Sequence, residues 1–218
     1  MFGWLNPEPE MNDFDKQLLA SNLVGAKSLD ELFEIERAIT KERLIELKLN
    51  PIEGNFDYDH LKAIHKYLFQ DVYVWAGMDR YEMGIRGDFR KGDTHFTSGS
   101  RLPEVSKMLF DAIKEENYFK DLSKDSFIKS TASFMNGLNI LHPFREGNGR
   151  TQRIFIEQLA DNAGYKLDLS KVSKDIMIQA SIQAVKGNLK GFEILLRDSL
   201  SNNKNLFSLQ GKIKGIVI

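Results

Sequence analysis

The chain must change direction between residues 142 and 149, where a break separates two stretches with helical patterns. Pro143 disfavours helical geometry at the residue before it, so a helix running from about residue 124 should end near Leu141. Asn148 lies between two glycines, which is typical of a residue that begins a new helix. We therefore expect two helices joined by a short loop, with the imidazole of His142 at the mouth of that loop.

The first turn of the second helix has the groups that are typical of an anion-binding site. Free backbone N–H groups at a helix start, together with the positive end of the helix dipole, bind negative charge. Gly147 and Gly149 let a phosphate approach the backbone closely. Arg150 and Arg153 are three residues apart on the first turn, so they should point the same way and hold phosphate oxygens. The segment predicts a polyphosphate site.

Two side chains of the loop can take part in chemistry. His142 is suited to be a general base, because an imidazole accepts a proton near neutral pH. Glu146 is suited to bind Mg²⁺, which takes one or two carboxylates plus substrate phosphates. Their plain alternatives are a structural histidine and a helix cap. A zinc site is a poor alternative because the chain has no cysteine, so a third ligand must come from His60, His65, His95 or a distant carboxylate.

The length, net charge and composition of the chain limit the class of protein that it can be. Its 218 residues fit a single domain with one filled core. A net charge of -1 gives no general attraction to nucleic acid or anionic membrane. The absence of cysteine excludes disulfides, and no segment approaches the roughly 20 apolar residues of a membrane span. We expect a soluble, cytoplasmic protein.

Most of the chain has helical periodicity. A capping box at residues 28–31 begins a long amphipathic helix that should stop at Asn50 and Pro51. The last residues, 211–218, alternate weakly like a strand, and no function is assigned to them. Further helices are predicted over 58–70, 105–113, 127–141, 151–163, 175–185 and 189–200.

Several side chains near the motif are expected to support the fold. Phe69, Tyr73 and Trp75 should pack in the core, as aromatic stripes at helical spacing usually do. Phe144 should seat the loop as an apolar anchor. Asn139 should brace the site through hydrogen bonds.

Residues 80–102 interrupt the helical pattern. Four glycines in this segment leave runs too short for a stable helix, so we predict a hairpin or loop. Its basic and aromatic residues also suggest single-stranded nucleic acid binding. Interspersed acidic residues argue against that alternative.

The sequence His142-Pro143-Phe144-Arg145-Glu146-Gly147-Asn148-Gly149-Arg150-Thr151-Gln152-Arg153 resembles the motif of the Fic (filamentation induced by cAMP) family and matches it without a departure. The similarity extends over about residues 17–200 and implies an all-α, Fic-like helical bundle with a small β-hairpin flap at about 80–102. Residues 1–16 would be a lead-in and 201–218 a tail. The further residues that carry the resemblance are 55–57, 60–62, 65–69, 71–77 and 164–165.

The resemblance implies a protein adenylyltransferase, which transfers AMP from ATP and Mg²⁺ to a Tyr, Ser or Thr hydroxyl of a target protein. His142 would be the base and Glu146 the Mg²⁺ ligand, and Asn148 would contact the α-phosphate. The flap would pair with the target by strand addition. The nucleotide would be bound by Gly147, Asn148, Gly149, Arg150 and Arg153, and the working edge of the flap would be Lys91, Gly92, Asp93, Thr94, His95, Phe96 and Thr97.

Control is expected to come from outside the chain. Many Fic proteins are inhibited by a helix with the pattern Ser/Thr-x-x-x-Glu-Gly/Asn, and no glutamate of this sequence fits it. A separate antitoxin whose Glu pairs with Arg153 is therefore predicted, as for a toxin-type protein. Transfer of another phosphate-containing group, removal of AMP, and a non-enzymatic interaction module stay open as alternatives.

Overall fold

The computed structural model describes residues 12–200, and within them the fold is mostly helical. Eight α-helices and one two-stranded antiparallel hairpin form the regular structure of this range, which confirms the predicted all-α bundle with a small hairpin. The elements are α1 (Asp13–Ala20), α2 (Leu29–Leu49), α3 (Tyr58–Phe69), β1 (Phe89–Lys91), β2 (Thr94–Phe96), α4 (Leu102–Glu115), α5 (Lys124–Leu141), α6 (Asn148–Asn162), α7 (Lys174–Val185) and α8 (Lys190–Ser199).

Side-chain caps set where the helices begin. The hydroxyl of Ser28 accepts the N–H of Glu31 at 3.2 Å, as predicted, but the Glu31 carboxylate accepts the N–H of Lys27 at 2.7 Å rather than that of Ser28, so only the first half of the capping box forms. Ser123 caps α5 one turn before its first apolar residue, Phe127. Apolar periodicity alone therefore predicted several helices to begin late, because the polar cap and first turn precede the buried face.

The centre of the bundle is an aromatic cluster on α6. Phe155 is fully buried, and the rings of Phe56, Phe110 and Phe134 lie 5.7 to 6.1 Å from its ring centroid. Phe56 and Phe110 meet it edge to face, the arrangement favoured by the ring quadrupoles. This packing fixes α6, whose first turn carries the motif.

The predicted core aromatics on and after α3 are also buried. Phe69, Tyr73 and Trp75 are 0, 1 and 4% exposed, which confirms the prediction. Phe144 is fully buried too, as expected of the residue that seats the loop.

The break between α5 and α6 lies where Pro143 predicted it. Helix α5 ends at Leu141, and His142 takes a left-handed conformation with φ 41°. Gly147, with φ 79°, leads into α6 at Asn148. The backbone thus turns sharply at both ends of the six-residue loop 142–147, which joins the end of α5 to the first turn of α6.

Arg80 anchors the chain before the hairpin to the end of α5. Its guanidinium is fully buried and donates to the carbonyl oxygens of His142 at 3.0 Å, Leu141 at 3.3 Å and Thr97 at 2.6 Å. Its own N–H donates to the Pro143 carbonyl at 2.8 Å. A cation at a helix C-terminus satisfies carbonyls that lack intrahelical partners. One side chain therefore fixes both the loop and the root of the hairpin.

The hairpin is shorter than the segment predicted for it. Strand β1 pairs with β2 in the register Phe89 to Phe96, Arg90 to His95 and Lys91 to Thr94. The two-residue connection contains Gly92 with φ 57°, as a tight hairpin turn requires. The rest of residues 80–102 forms turns, a 3₁₀ turn and the start of α4.

The predicted domain limits at residues 17 and 200 stay predictions. Helix α1 begins at Asp13, before the predicted start of the domain at residue 17. Residues 1–11 of the predicted lead-in and the tail 201–218, with the strand-like pattern of 211–218, lie outside the described residues. Within residues 12–200, none of the helices combines the length and apolarity needed to cross a bilayer.

Candidate active site

The side chain of Asn148 clamps the loop between α5 and α6. Its amide oxygen accepts the N–H of Phe144 at 2.9 Å, and its amide nitrogen donates to the Phe144 carbonyl at 2.7 Å. The side chain is 3% exposed and both of its functional ends are used. In the structure this buried amide braces the loop through two partners, and the contact of Asn148 with an α-phosphate stays a prediction. The backbone N–H groups of Asn148 and Gly149, at the first turn of α6, stay suited to bind an anion.

His65 of α3 fixes the same loop from below. Its Nε2 donates to the Glu146 carbonyl at 3.1 Å, and its Nδ1 accepts the N–H of Gly77 at 2.9 Å. Its ring stacks on Phe144 with centroids 3.8 Å apart. Burial lowers the pKa of His65 to about 3, and protonation would remove the acceptor for Gly77. No role for His65 in this loop was predicted from the sequence, although a polar residue on the apolar face of α3 was a signal for one.

A cavity of about 720 Å³ opens beside the loop, within the range of small-molecule sites. Its walls come from α2, α5, α6, α7 and the hairpin. All of the predicted nucleotide-binding residues except Asn148 line it. Its lining includes Glu36, Arg37, Lys91, Phe96, Asn139, His142, Glu146, Gly147, Gly149, Arg150, Arg153, Lys174 and Ser181.

The cavity lining is strongly cationic although the chain as a whole is close to neutral. Five lining residues are Lys or Arg and two are Glu. A concave site with an excess of one charge concentrates ligands of the opposite charge. The lining therefore favours a polyanion. The cations are Arg37, Lys91, Arg150, Arg153 and Lys174.

His142 lies under the hairpin. Its ring stacks on Phe96 with centroids 4.0 Å apart, and Phe89 lies 5.8 Å away. Both ring nitrogens are enclosed and have no hydrogen-bond partner among residues 12–200. Burial, and next the charges of Lys91 and Arg80, lower the pKa of His142 to about 3. The imidazole is therefore neutral near pH 7 and can accept a proton once a donor reaches it.

Glu146 is a single carboxylate at the edge of the cavity. Its Oε1 accepts the N–H of Gly147 at 2.9 Å, and Lys91 of the hairpin lies 3.7 Å from its Oε2. No cluster of three or more His, Cys, Asp or Glu residues capable of holding a metal occurs in the described range. This donor set fits a cation such as Mg²⁺ that takes its other ligands from phosphate and water.

The two motif arginines have different surroundings. The guanidinium of Arg150 is engaged by α2: Nη2 lies 2.5 Å from Glu36 Oε1, and Nη1 donates to Thr40 Oγ1 at 3.0 Å. Arg153 lines the cavity and has no ion pair within the part of the chain that the structure describes. Burial lowers the pKa of Arg153. The sequence predicted that both arginines hold one anion. It did not predict that Arg150 is bound by two side chains of α2.

The predicted flap edge divides into two sides. Lys91, Thr94 and Phe96 line the cavity. Gly92, Asp93 and His95 are exposed at the tip or outer side.

Thr97 ties the hairpin to α5, since its N–H donates to the Ile140 carbonyl at 2.9 Å. The expected brace, Asn139, donates to the Ser181 carbonyl at 3.3 Å and so connects α5 with α7 across the cavity.

Helix α1 also contributes to the site, which the sequence analysis missed. The Arg145 guanidinium lies 3.0 Å above the ring of Phe14 and donates to the Phe14 carbonyl. Phe14 in turn stacks on Phe89 of the hairpin, 6.1 Å between centroids. The contact joins α1, the loop and the hairpin. It could not be predicted from local sequence patterns, because Phe14 and Arg145 are 131 residues apart.

Comparison with known proteins identifies the family of this chain. The Fic/DOC family matches residues 55–160. A probable protein adenylyltransferase Fic of Escherichia coli K12 is 31% identical over 180 residues, covering 83% of this chain and 86% of the relative. The chain belongs to the Fic/DOC family.

Other Fic relatives match in sequence and structure. The protein adenylyltransferase VbhT of Bartonella schoenbuchensis is 38% identical over 83% of this chain, which spans 37% of that longer protein. The N-terminal Fic domain of a Bartonella quintana cell filamentation protein with bound ADP has a TM-score of 0.78 at 32% identity, covering 85% of this chain and 92% of that domain.

The buried histidines of this Fic fold predict a loss of stability in acid. Folding lowers the pKa of His65 from about 6.5 to about 3, so the unfolded chain binds more protons between these values and the stability falls as pH drops below 6.5. His65 alone should lose about 2 kcal/mol from pH 7.5 to 5. Urea unfolding at both pH values measures this. The loss should shrink in His65→Gln and persist in His95→Gln, an exposed control; equal losses in all three proteins would contradict the prediction.

The two motif glycines should respond differently to alanine. A Cβ at Gly147 would collide with the Phe69 ring and sit at φ 79°, whereas a Cβ at Gly149 meets no atom within 4 Å. Gly147→Ala should therefore lower the free energy of unfolding by more than about 1 kcal/mol. Gly149→Ala should keep the stability of the free protein but reduce its thermal stabilisation by Mg²⁺ and ATP, because the methyl group occupies the phosphate approach. A similar loss of unfolding free energy in both variants would refute this assignment.

Proposed function

We propose that this protein is a protein adenylyltransferase that moves AMP from ATP to a Tyr, Ser or Thr hydroxyl of a target protein. The observation that carries the proposal is the placement of a neutral His142 beside a cationic cavity that also contains Glu146 and the first turn of α6. The names of the relatives support the same chemistry. Two related Fic structures contain ADP and AMPPNP respectively.

In the proposed reaction, a proton moves from the target hydroxyl to His142 and an adenylyl group moves from ATP to the target. His142 accepts the proton of the target hydroxyl, whose oxygen forms a bond to the α-phosphorus while the bond to pyrophosphate breaks. AMP stays on the target. The amides of the first turn of α6 and Arg153 would hold the phosphates, and positioning with charge neutralisation supplies most of the rate in such transfers. Mg²⁺, when bound at Glu146, would neutralise phosphate charge.

The low pKa of His142 belongs to the protein without substrate. Burial lowers this pKa most, and Lys91 and Arg80 lower it further by repelling the protonated form. Phosphate charges in the cavity would oppose this repulsion and raise the pKa toward the range that suits a general base. Access to the ring requires the side chain of Phe96 to move, since it stacks on the imidazole. Nucleotide or target binding at the hairpin would thus make the base available.

Restraint by a separate antitoxin remains part of the proposal. Arg153 lines the cavity and has no ion-pair partner among residues 12–200. It is therefore able to pair with a glutamate from another chain. A glutamate bound there would occupy the place of an outer phosphate. A buried pair of this kind is selective because leaving either charge desolvated alone is costly.

The test of the proposed function is labelling. Cell lysate incubated with the protein, Mg²⁺ and α-labelled ATP should yield a labelled protein whose mass increase equals one adenylyl group. His142→Ala should reduce labelling by about 10²- to 10⁴-fold, the usual effect of losing a general base, while thermal stabilisation by ATP persists. Labelling within threefold of wild type would contradict the role of His142. A different mass increase would point to another phosphate-containing group, and stabilisation without labelling to a binding module.

Target docking on the hairpin predicts a selective effect at His95. The N–H groups of His95 and Thr97 lie on the same side of β2, and that of Thr97 is already paired with Ile140. His95→Pro removes the exposed donor, so target labelling should fall more than the stabilisation by ATP. His95→Ala, which keeps the N–H, is the matched control. Equal losses of labelling in both variants would exclude pairing through this backbone donor.

A further inference from the structure

Glu36 of α2 is a buried acid outside the motif. It is 4% exposed, and its Oε1 lies 2.5 Å from Arg150 Nη2. Its other oxygen accepts the hydroxyl of Tyr73, whose pKa is raised by burial and by this carboxylate. Thr40, one turn later on α2, accepts from Arg150 Nη1. Glu36 and Thr40 therefore hold Arg150, and Tyr73 holds the carboxylate of Glu36 in place.

Arg150 lies between two carboxylates of unequal distance. Glu36 is 2.5 Å from it, whereas Glu146 is 3.9 Å away. The ring of Phe69 lies beneath the guanidinium, 4.8 Å from its carbon, and limits where it can move. Arginine presents planar, directed donors that favour a close carboxylate. If Glu36 lost its charge, the nearest anion for Arg150 would be Glu146.

We propose that Glu36 is a positioning residue that holds Arg150 away from Glu146 and so keeps the Glu146 carboxylate available to Mg²⁺. The inference rests on the proposed function, because it concerns the metal that accompanies ATP. A cation bound to Glu146 must compete with every protein cation close enough to pair with it. Glu36 weakens the competition from Arg150 by binding its guanidinium through a shorter, buried contact. Lys91, 3.7 Å from Glu146, stays a competitor in every variant.

A purely structural role for Glu36 predicts something different. If the pair only joined α2 to α6, its loss would lower stability and leave the metal requirement of the folded protein unchanged. The competition role predicts a higher Mg²⁺ requirement that depends on the presence of Arg150. The two roles therefore differ in a binding measurement as well as in activity.

The experiment compares Glu36→Gln with wild type as free Mg²⁺ is titrated at a fixed, saturating ATP concentration. The readouts are the thermal stabilisation of the protein and the labelling of its target. Glu36→Gln should raise the Mg²⁺ concentration for half-maximal stabilisation at least threefold. Formation of Mg²⁺·ATP in solution is common to all variants, so differences report on the protein. Tyr73→Phe is the matched control: it removes a hydrogen bond from the cluster but keeps the Glu36 charge, so its midpoint should equal that of wild type.

A double-mutant cycle tests whether the effect acts through Arg150. In the Arg150→Gln background, Glu36→Gln should leave the Mg²⁺ midpoint unchanged. An unchanged midpoint in Glu36→Gln alone, or an equal rise with and without Arg150, overturns the proposal. If Glu36→Gln does not fold, Glu36→Asp replaces it: the shorter side chain should loosen the contact with Arg150 and raise the midpoint, and an unchanged midpoint overturns the inference.

Failure of this inference is distinguishable from failure of the proposed function. If the wild-type protein labels its target and Glu36→Gln leaves the Mg²⁺ midpoint unchanged, only the positioning role of Glu36 is contradicted. If the wild-type protein is not stabilised by Mg²⁺ and ATP and labels no target, both the proposed function and the positioning role are contradicted. A shifted midpoint for stabilisation without any labelling supports the positioning role and removes only the transfer reaction.

Discussion

The site depends on the buried, neutral imidazole of His65. It is the one group that contacts the loop backbone at Glu146, stacks on Phe144 and accepts the N–H of Gly77. A charged imidazole would have two donors and could not accept from Gly77. The loop is therefore held by a group that must stay uncharged, and its geometry is coupled to the packing of α3.

This constraint gives the helix start its function. With the loop fixed by His65 and clasped by Asn148, the first turn of α6 has a defined direction before any ligand arrives. Backbone N–H groups that are already oriented lose little freedom when they bind a phosphate. The surrounding lysines and arginines then add attraction without having to organise the backbone.

Two neighbouring elements restrain the reactive side chains of this preformed loop. The hairpin covers His142 through Phe96 and brings Lys91 to within 3.7 Å of Glu146. Helix α2 binds Arg150 through Glu36. The free protein thus satisfies or shields groups that the proposed reaction would use, and substrates would replace internal contacts by stronger ones. Arg153 differs, because its exposure to the cavity leaves it ready for an anion.

The sequence by itself determined the local features: the helices, the break at Pro143, the start of α6 between two glycines and the presence of a base, a carboxylate and two arginines in one segment. These follow from backbone sterics, capping and periodicity over a few residues. Only the tertiary structure decided that Arg150 is bound by α2, that Asn148 is a brace, and that His65 supports the loop. Such contacts join positions up to 114 residues apart, and local patterns carry no information about which distant side chain packing will bring into hydrogen-bonding range.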